Sequence, residues 1–487
     1  MSSIKLLGLV VLFCVLSCAP PVRSGDISTS LLFAEQLQQH YEQYHENSIT
    51  TRRFRLSDIQ PIIDQLPAAF TVSEAGRSIQ GRKLNRVEWG SGPVQVLLWS
   101  QMHGDEPTAT AALLDIFHWL EASGDGMDEI RDRLQQELSL TFLPMLNPDG
   151  AELYRRRNAL NVDLNRDALR LQSPEARLLK NERDRLEADW GFNLHDQSIY
   201  YGVGFPAERG AAVSILAPAF DWDKTVDAKR EDAMQMIALM NQQWQKTAPG
   251  GVGRYNDDFE PRAFGDNLQK WGTRTILIES GGWPGDPEKQ EIRKMNFCGI
   301  LLALHAIATQ SFEAVSTDEY WAIPENKYNA LFDLVLREVR VEAAGEGPFT
   351  IDIGIRRPER VVPATNDNYY RDGIIHDLGD LHTFLGIENF AGTGVIARPG
   401  QTYPAPLTMA ELRQRTTASF HDQGYTSVQL LDWQPHFQLE YQELRLLAEG
   451  QIAGSQISPG QSTDLLLYRN DELIGVVVLG ALRDLSQ

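Results

Sequence analysis

Four short apolar runs, residues 94–99, 138–146, 192–194 and 275–278, each give way at once or within a few residues to a polar cluster. Runs this short and this apolar read as buried strands. The clusters are His103-Gly104-Asp105-Glu106, Asn147-Pro148-Asp149-Gly150, His195-Asp196-Gln197 and Glu279-Ser280-Gly281-Gly282. The second cluster is made of turn residues and is expected to end its strand as a turn. Helical stretches lie between the runs: Pro107 opens one through Trp119, and Asp286-Pro287 is expected to cap another that runs to Ala308. Strands alternating with helices dictate an α/β sheet, mostly parallel. In such a sheet ligands bind beyond the carboxyl ends of the strands. Polar chemistry at four strand ends is then the sequence trace of one site.

His103 and Glu106 form H-x-x-E, a spacing that lets a turn aim both side chains at one point. Zn²⁺ accepts imidazole nitrogen and carboxylate oxygen, and His195 supplies a third ligand if its strand neighbours the first. Two His and one Glu leave the fourth position to water, which is a catalytic rather than a structural set, with one Zn²⁺ per chain. The alternative for His195 is a hydrogen-bonded core histidine.

The stretch Arg156-Arg157-Asn158-Ala159-Leu160-Asn161-Val162-Asp163-Leu164-Asn165-Arg166 resembles the R-x-N-A-x-x-V-D-L-N-R segment of the zinc carboxypeptidase family, and it follows H-x-x-E and N-P-D-G in that family's order. The resemblance spans residues 55–308. It implies an α/β/α sandwich around a mixed, mostly parallel eight-stranded sheet. It also implies roles: Glu279 as the general base that takes a proton from the attacking water, Arg156 at the oxyanion, and Asn165 and Arg166 on the substrate's terminal carboxylate. A planar guanidinium suits that bidentate grip. Arg156 and Arg166 read, without the family spacing, as solvated surface arginines. Asp167 departs from the pattern, where the family often has Asn. No motif marks the tyrosine of the substrate-covering loop; Tyr255 is the candidate, with an ordinary packed tyrosine as its alternative. Asp257, Asp258, Glu260 and Arg262 in the same loop are candidates for setting side-chain preference.

The reaction expected is hydrolysis of a C-terminal or peptidoglycan stem-peptide bond. The rivals are a zinc deacylase of N-acyl amino acids, of the aspartoacylase or desuccinylase kind, and a non-catalytic surface binding lipoprotein. A formal charge of -21, from 45 basic and 66 acidic residues, would repel phosphate backbones and excludes a nucleic-acid partner.

The chain divides into a signal region (1–24), a catalytic domain (25–312) and a smaller C-terminal β-rich domain (325–487). Residues 6–16 form an apolar core too short to span a membrane, a signal-peptide pattern. Ser17-Cys18-Ala19 then resembles the lipobox of bacterial lipoproteins, so the expectation is an exported protein anchored to a bacterial envelope membrane through lipid on Cys18; ordinary secretion is the alternative. Cys14 and Cys18 belong to this region, which leaves Cys298 as a buried small hydrophobe with no partner for a disulfide. In the last domain, residues 332–336, 349–355 and 428–431 read as strands, and 465–468 with 473–478 as a hairpin around Asn470-Asp471. His376, Asp377, Asp380 and His382 read as a polar loop.

Overall fold

The structure, a computed structural model, describes residues 26–342, 347–362, 368–454 and 456–485. The signal and lipobox residues, Cys18 included, lie outside them. The chain begins with helices α1 (Ile27–His40) and α2 (Leu56–Asp64) and enters its main sheet through β1 (Phe70–Arg77), β2 (Lys83–Gly90) and β3 (Val94–Ser100). Helices α3 (Thr108–Glu121) and α4 (Asp128–Glu137) lead to β4 (Leu138–Leu143), and α5 (Pro148–Glu152) and α6 (Pro174–Leu186) lead to β5 (Trp190–Asp196). A short ribbon, β6 (Gly202–Val203) and β7 (Arg209–Gly210), precedes β8 (Val213–Leu216). Helix α7 (Ala228–Thr247), β9 (Val252–Arg254), α8 (Phe264–Lys270), β10 (Arg274–Ser280) and α9 (Gln290–Thr309) complete this body.

The eight-stranded sheet has the order β1-β2-β4-β3-β5-β10-β8-β9. Its four central strands, β4, β3, β5 and β10, are parallel, and antiparallel pairings attach β2 and β8 to them. The mixed sheet expected from the resemblance is thus present, flanked by helices on both faces. Pleating assigns the faces. Val96, Leu98, Phe192, Leu194, Ile276 and Ile278 pack with the buried sides of α1, α3, α7 and α9. Leu97 and Trp99 point the other way, onto Leu179 of α6 and Phe264 and Leu268 of α8. By the same alternation His195 and Glu279 leave the sheet on this second face.

Three local expectations need correction. The second strand ends at Leu143, not at 146, because Met145 takes a left-handed conformation (φ 57°) that turns the chain. Asn147-Pro148-Asp149-Gly150 is the start of a helix, not a turn: Asn147 Oδ1 accepts from Gly150 N at 2.9 Å, and Pro148 fits the first helical position. Helix α9 begins at Gln290 after Lys289 at φ 56°, so Asp286-Pro287 precedes it, although Asp286 still accepts from Glu291 N at 2.8 Å.

The strands 374–379, 349–356, 331–341, 396–399, 465–469, 472–478 and 481–484 build a second mixed sheet, with 385–391 beside 331–341. Leu334, Leu336, Ile353, Ile355, Leu467 and Val477 form its core. The hairpin turn is as read, with Asn470 and Asp471 at φ 51° and 65°. His376 and Asp377 correct the polar-loop reading: they lie on a strand, and only Asp380 and His382 sit in the loop. The two bodies are tied by β11 (Asn326–Lys327), which pairs with β6. Arg52 and Arg53 add ion pairs to Glu359 at 2.5 and 2.7 Å, and Tyr200 donates to Asp333 at 2.7 Å. No helix among the described residues is long and apolar enough to cross a membrane.

Candidate metal centre

The loops after β3 and β4 lie side by side because Leu146 N and Asn147 N donate to the carbonyls of Ser100 and Gln101, both at 3.0 Å. Gln101 needs a left-handed backbone there, φ 52°. A Cβ on Gly104 would fall 2.0 Å from the carbonyl carbon of Gly150, so glycine is required where the two loops meet. This close approach brings His103 and Glu106 over the sheet edge, where His195 projects from the end of β5.

The three side chains converge. Nδ1 of His103 lies 2.7 Å from Glu106 Oε1, Nδ1 of His195 lies 2.6 Å from Glu106 Oε2, and the two ring nitrogens are 3.2 Å apart. All three residues are buried, and their ligand atoms lie within 4.8 Å of one another. The two imidazole nitrogens face each other and both face the Glu106 carboxylate, and the donor set is one Zn²⁺ accepts. The surroundings favour positive charge at the centre. Burial pulls His103 down, yet Glu106 and Asp163 outweigh it and push its pKa up to about 9. Burial keeps His195 below its ordinary value, as a neutral imidazole ligand requires. The residues present fit a zinc ion.

Behind His103, its Nε2 lies 3.1 Å from Asp163 Oδ1, the outer carboxylate that fixes the ring of a metal-bound histidine. The other oxygen of Asp163 accepts from Arg156 Nε at 3.1 Å. Arg156 then reaches Glu106 Oε1 with its terminal nitrogen at 3.2 Å. Asp163 stands inside the sequence segment that carries the resemblance, but its neighbours there gave it no role; only the tertiary contact does.

A cavity of about 450 Å³ opens over these ligands and is also lined by Arg156, Asn165, Arg166, Tyr255 and Glu279. The structure therefore brings the three expected ligands, Glu279, Arg156, Asn165, Arg166 and Tyr255 to one place. Glu279 keeps part of its surface in the cavity. Burial, and next the charge of Glu106, push its carboxyl well above the ordinary range. Asn165 Oδ1 accepts from Phe264 N at 2.8 Å, which fixes the amide, and Arg166 Nε stands 3.4 Å from Glu260. Tyr255 is half-buried, its hydroxyl 3.1 Å from that of Tyr201. Tyr328, from the segment joining the two bodies, packs against Tyr201 with ring centroids 5.0 Å apart and planes tilted by 46°, and completes this aromatic rim. Neither Tyr201 nor Tyr328 belongs to a motif.

Of the loop acids, Asp258 and Glu260 line the cavity, whereas Asp257 accepts from the buried Arg230 at 2.9 Å and from Lys224 at 2.9 Å and is structural. Arg262 is held by Glu260 at 2.7 Å. Asp167, the departure from the family pattern, accepts from Ser173 N and Oγ at 2.8 and 2.7 Å just ahead of α6. Lys289 has no counterpart among the sequence motifs: buried, it donates to Asp196 Oδ2 and to the carbonyl of Ser280, both at 3.0 Å, and so ties the ends of β5 and β10 together.

A buried His–Glu–His set with a carboxylate across one cavity, at the carboxyl edge of parallel strands, defines a zinc-hydrolase type of centre. Residues 56–183 match the family described as zinc carboxypeptidase. That match includes His103, Glu106, Arg156, Asn165 and Arg166 and stops before His195 and Glu279. The chain is similar to Carboxypeptidase SOL1 of Arabidopsis thaliana, 28% identical over 171 residues that make up 32% of this chain and 31% of that protein. It is similar to Carboxypeptidase E of Caenorhabditis elegans, 31% identical over 125 residues, 22% of this chain and 26% of that protein. The chain thus spans less than a third of the length of these curated relatives. Among solved structures it is similar to a metallo-carboxypeptidase from Burkholderia cenocepacia at 17% identity and a TM-score of 0.42, over 53% of this chain and 68% of that one. A metallo-carboxypeptidase from Pseudomonas aeruginosa, in complex with (2-guanidinoethylmercapto)succinic acid, gives 18% and 0.42, over 53% and 70%.

Proposed function

We propose that the protein is a zinc-dependent metallocarboxypeptidase that hydrolyses the C-terminal peptide bond of its substrate. One observation carries this reading: Glu279, the three ligand side chains and the pair Asn165–Arg166 all line one cavity. Bound Zn²⁺ supplies a Lewis acid that polarises the scissile carbonyl and makes water acidic enough to attack near neutral pH. The chain supplies the rest. Glu279 accepts the proton of the attacking water and passes it to the leaving amine. Arg156, half-exposed and anchored on Asp163, donates to the oxygen that becomes negative in the transition state. Arg166 and Asn165 grip the terminal carboxylate, and Tyr255 caps the substrate. The discriminating experiment is mass spectrometry of products from a mixed library of peptides, muropeptides and N-acyl amino acids. Loss of C-terminal residues from peptides or stem peptides is expected. Release of acyl groups alone would favour a deacylase, and no turnover by zinc-loaded protein a binding role.

We also propose export and lipid anchorage at Cys18, on the sequence pattern Val15-Leu16-Ser17-Cys18. Cys18→Ser should move the protein from the membrane fraction to the soluble exported fraction; retention on salt-washed membranes would refute the anchor.

A further inference from the structure

A second cavity, of about 1250 Å³, lies between the two bodies of the chain. It joins the metal cavity along Glu106, Arg156, Asp196, Gln197 and Ser198, which line both. Asn165 and Arg166 line the metal cavity and not this one. The wall opposite the catalytic body comes from the C-terminal sheet and includes Leu331, Asp333, Arg357, Arg371, Ile387 and Glu388.

Most cations of this cavity are already paired. Arg52 binds Glu359 at 2.5 Å, Lys289 binds Asp196 at 3.0 Å, and Arg371 stands 3.8 Å from Asp333. Arg357 differs. Its Nε donates to the carbonyl of Leu479 at 3.0 Å, and among the described residues no carboxylate lies within ion-pair distance of its guanidinium. The stem is laid across Gly480, where a Cβ would fall 2.7 Å from Arg357 Cγ and the backbone is left-handed at φ 79°. A glycine therefore holds the place open for this side chain. Burial lowers the guanidinium's pKa, Arg371 adds to the effect, and Asp333 and Glu388 offset it only in part. A half-buried, positioned guanidinium whose terminal nitrogens have no hydrogen-bond partner among the described residues is a receptor for an anionic group.

We propose that the cavity between the two bodies binds the part of a peptide substrate upstream of the scissile bond, and that Arg357 selects a carboxylate side chain there. The inference rests on the carboxypeptidase reading. A peptide whose terminal carboxylate is held by Asn165 and Arg166, with its last bond at the metal ligands, leaves the metal cavity across the edge the two cavities share. The C-terminal body is then part of the substrate site, and substrates are extended peptides with an acidic residue upstream of the scissile bond.

The test uses the zinc-loaded full chain and hexapeptides that share their last two residues, with Glu, Gln or Lys scanned through the upstream positions. At one upstream position kcat/KM for Glu should exceed that for Gln by about tenfold, the effect of one charge-assisted hydrogen bond of modest strength. Lys there should be poorer than Gln. Arg357→Gln should remove the preference for Glu over Gln, Arg357→Lys should keep part of it, and Glu388→Gln should enlarge it. Equal kcat/KM for the three residues at every position, or a preference that survives Arg357→Gln, overturns the inference. If Arg357→Gln does not fold, the wild-type series and Arg357→Lys still decide. Cleavage of no peptide at all sinks the carboxypeptidase reading and this inference with it, whereas cleavage without discrimination sinks this inference alone.

Discussion

Glu279 and His195 are register partners on neighbouring parallel strands, so their side chains leave the same face of the sheet side by side. Strand pairing therefore sets the distance between these two side chains, and no loop has to move to bring them together. Lys289 reinforces the arrangement by bonding to both strand ends.

Glu279→Gln keeps size and polarity but cannot accept a proton. If Glu279 is the base, kcat should fall by roughly 10² to 10⁴, with zinc content and melting temperature near wild type. A purely structural Glu279 would show the reverse: a lower melting temperature and preserved kcat. Measuring the three quantities on one preparation separates the cases.

Asp163→Asn removes the charge behind His103 while leaving an oxygen to accept its Nε2 proton. Loss of such an outer partner typically costs 10- to 100-fold in metal affinity or activity. Zinc affinity measured by competition with a chelator should weaken by about that amount. Unchanged affinity would mean that the ring is held by packing alone.

The sequence is informative where function follows local order along the chain. His103, Asn147, His195 and Glu279 follow apolar runs, and a parallel sheet delivers such residues to one edge. What could not be read depends on backbone detail or on distant contacts. The Asn147–Gly150 segment reads as a turn because its residues favour turns, but the same Asn147 oxygen and Pro148 ring also start a helix. Lys289 in a left-handed conformation delays α9 past Asp286-Pro287. Tyr328 reaches the cavity only because β11 pairs with β6, a contact without a local signature. Asp257 is indistinguishable from its loop neighbours in sequence, and only the contact with the buried Arg230 sets it apart.

His195→Ala removes one of three converging ligands, and two remain too few to hold the ion tightly. The variant should lose most of its zinc by elemental analysis and keep its fold by circular dichroism, since the strand core, Phe192 and Leu194, is untouched. Full zinc occupancy in the variant would refute the ligand assignment.

The last prediction concerns pH and a histidine far from the metal. His305 of α9 is buried against Phe33 of α1, its Nδ1 2.8 Å from Ser30 Oγ. Burial, then the charge of Arg133, lowers its pKa to about 4 from an ordinary 6.5. Between these values the unfolded chain binds a proton that the folded chain refuses. Stability from this site is therefore complete above pH 6.5 and is lost as pH falls towards 4. The loss is on the order of 3 kcal/mol, since each tenfold difference in proton affinity between the folded and unfolded chain is worth about 1.4 kcal/mol. His305→Gln keeps a hydrogen-bonding group for Ser30 and cannot titrate. Urea unfolding of both proteins across pH 4–7 should show a smaller decline for the variant, even if its stability at neutral pH is lower. Parallel curves for the two proteins would show that His305 is not a source of acid sensitivity.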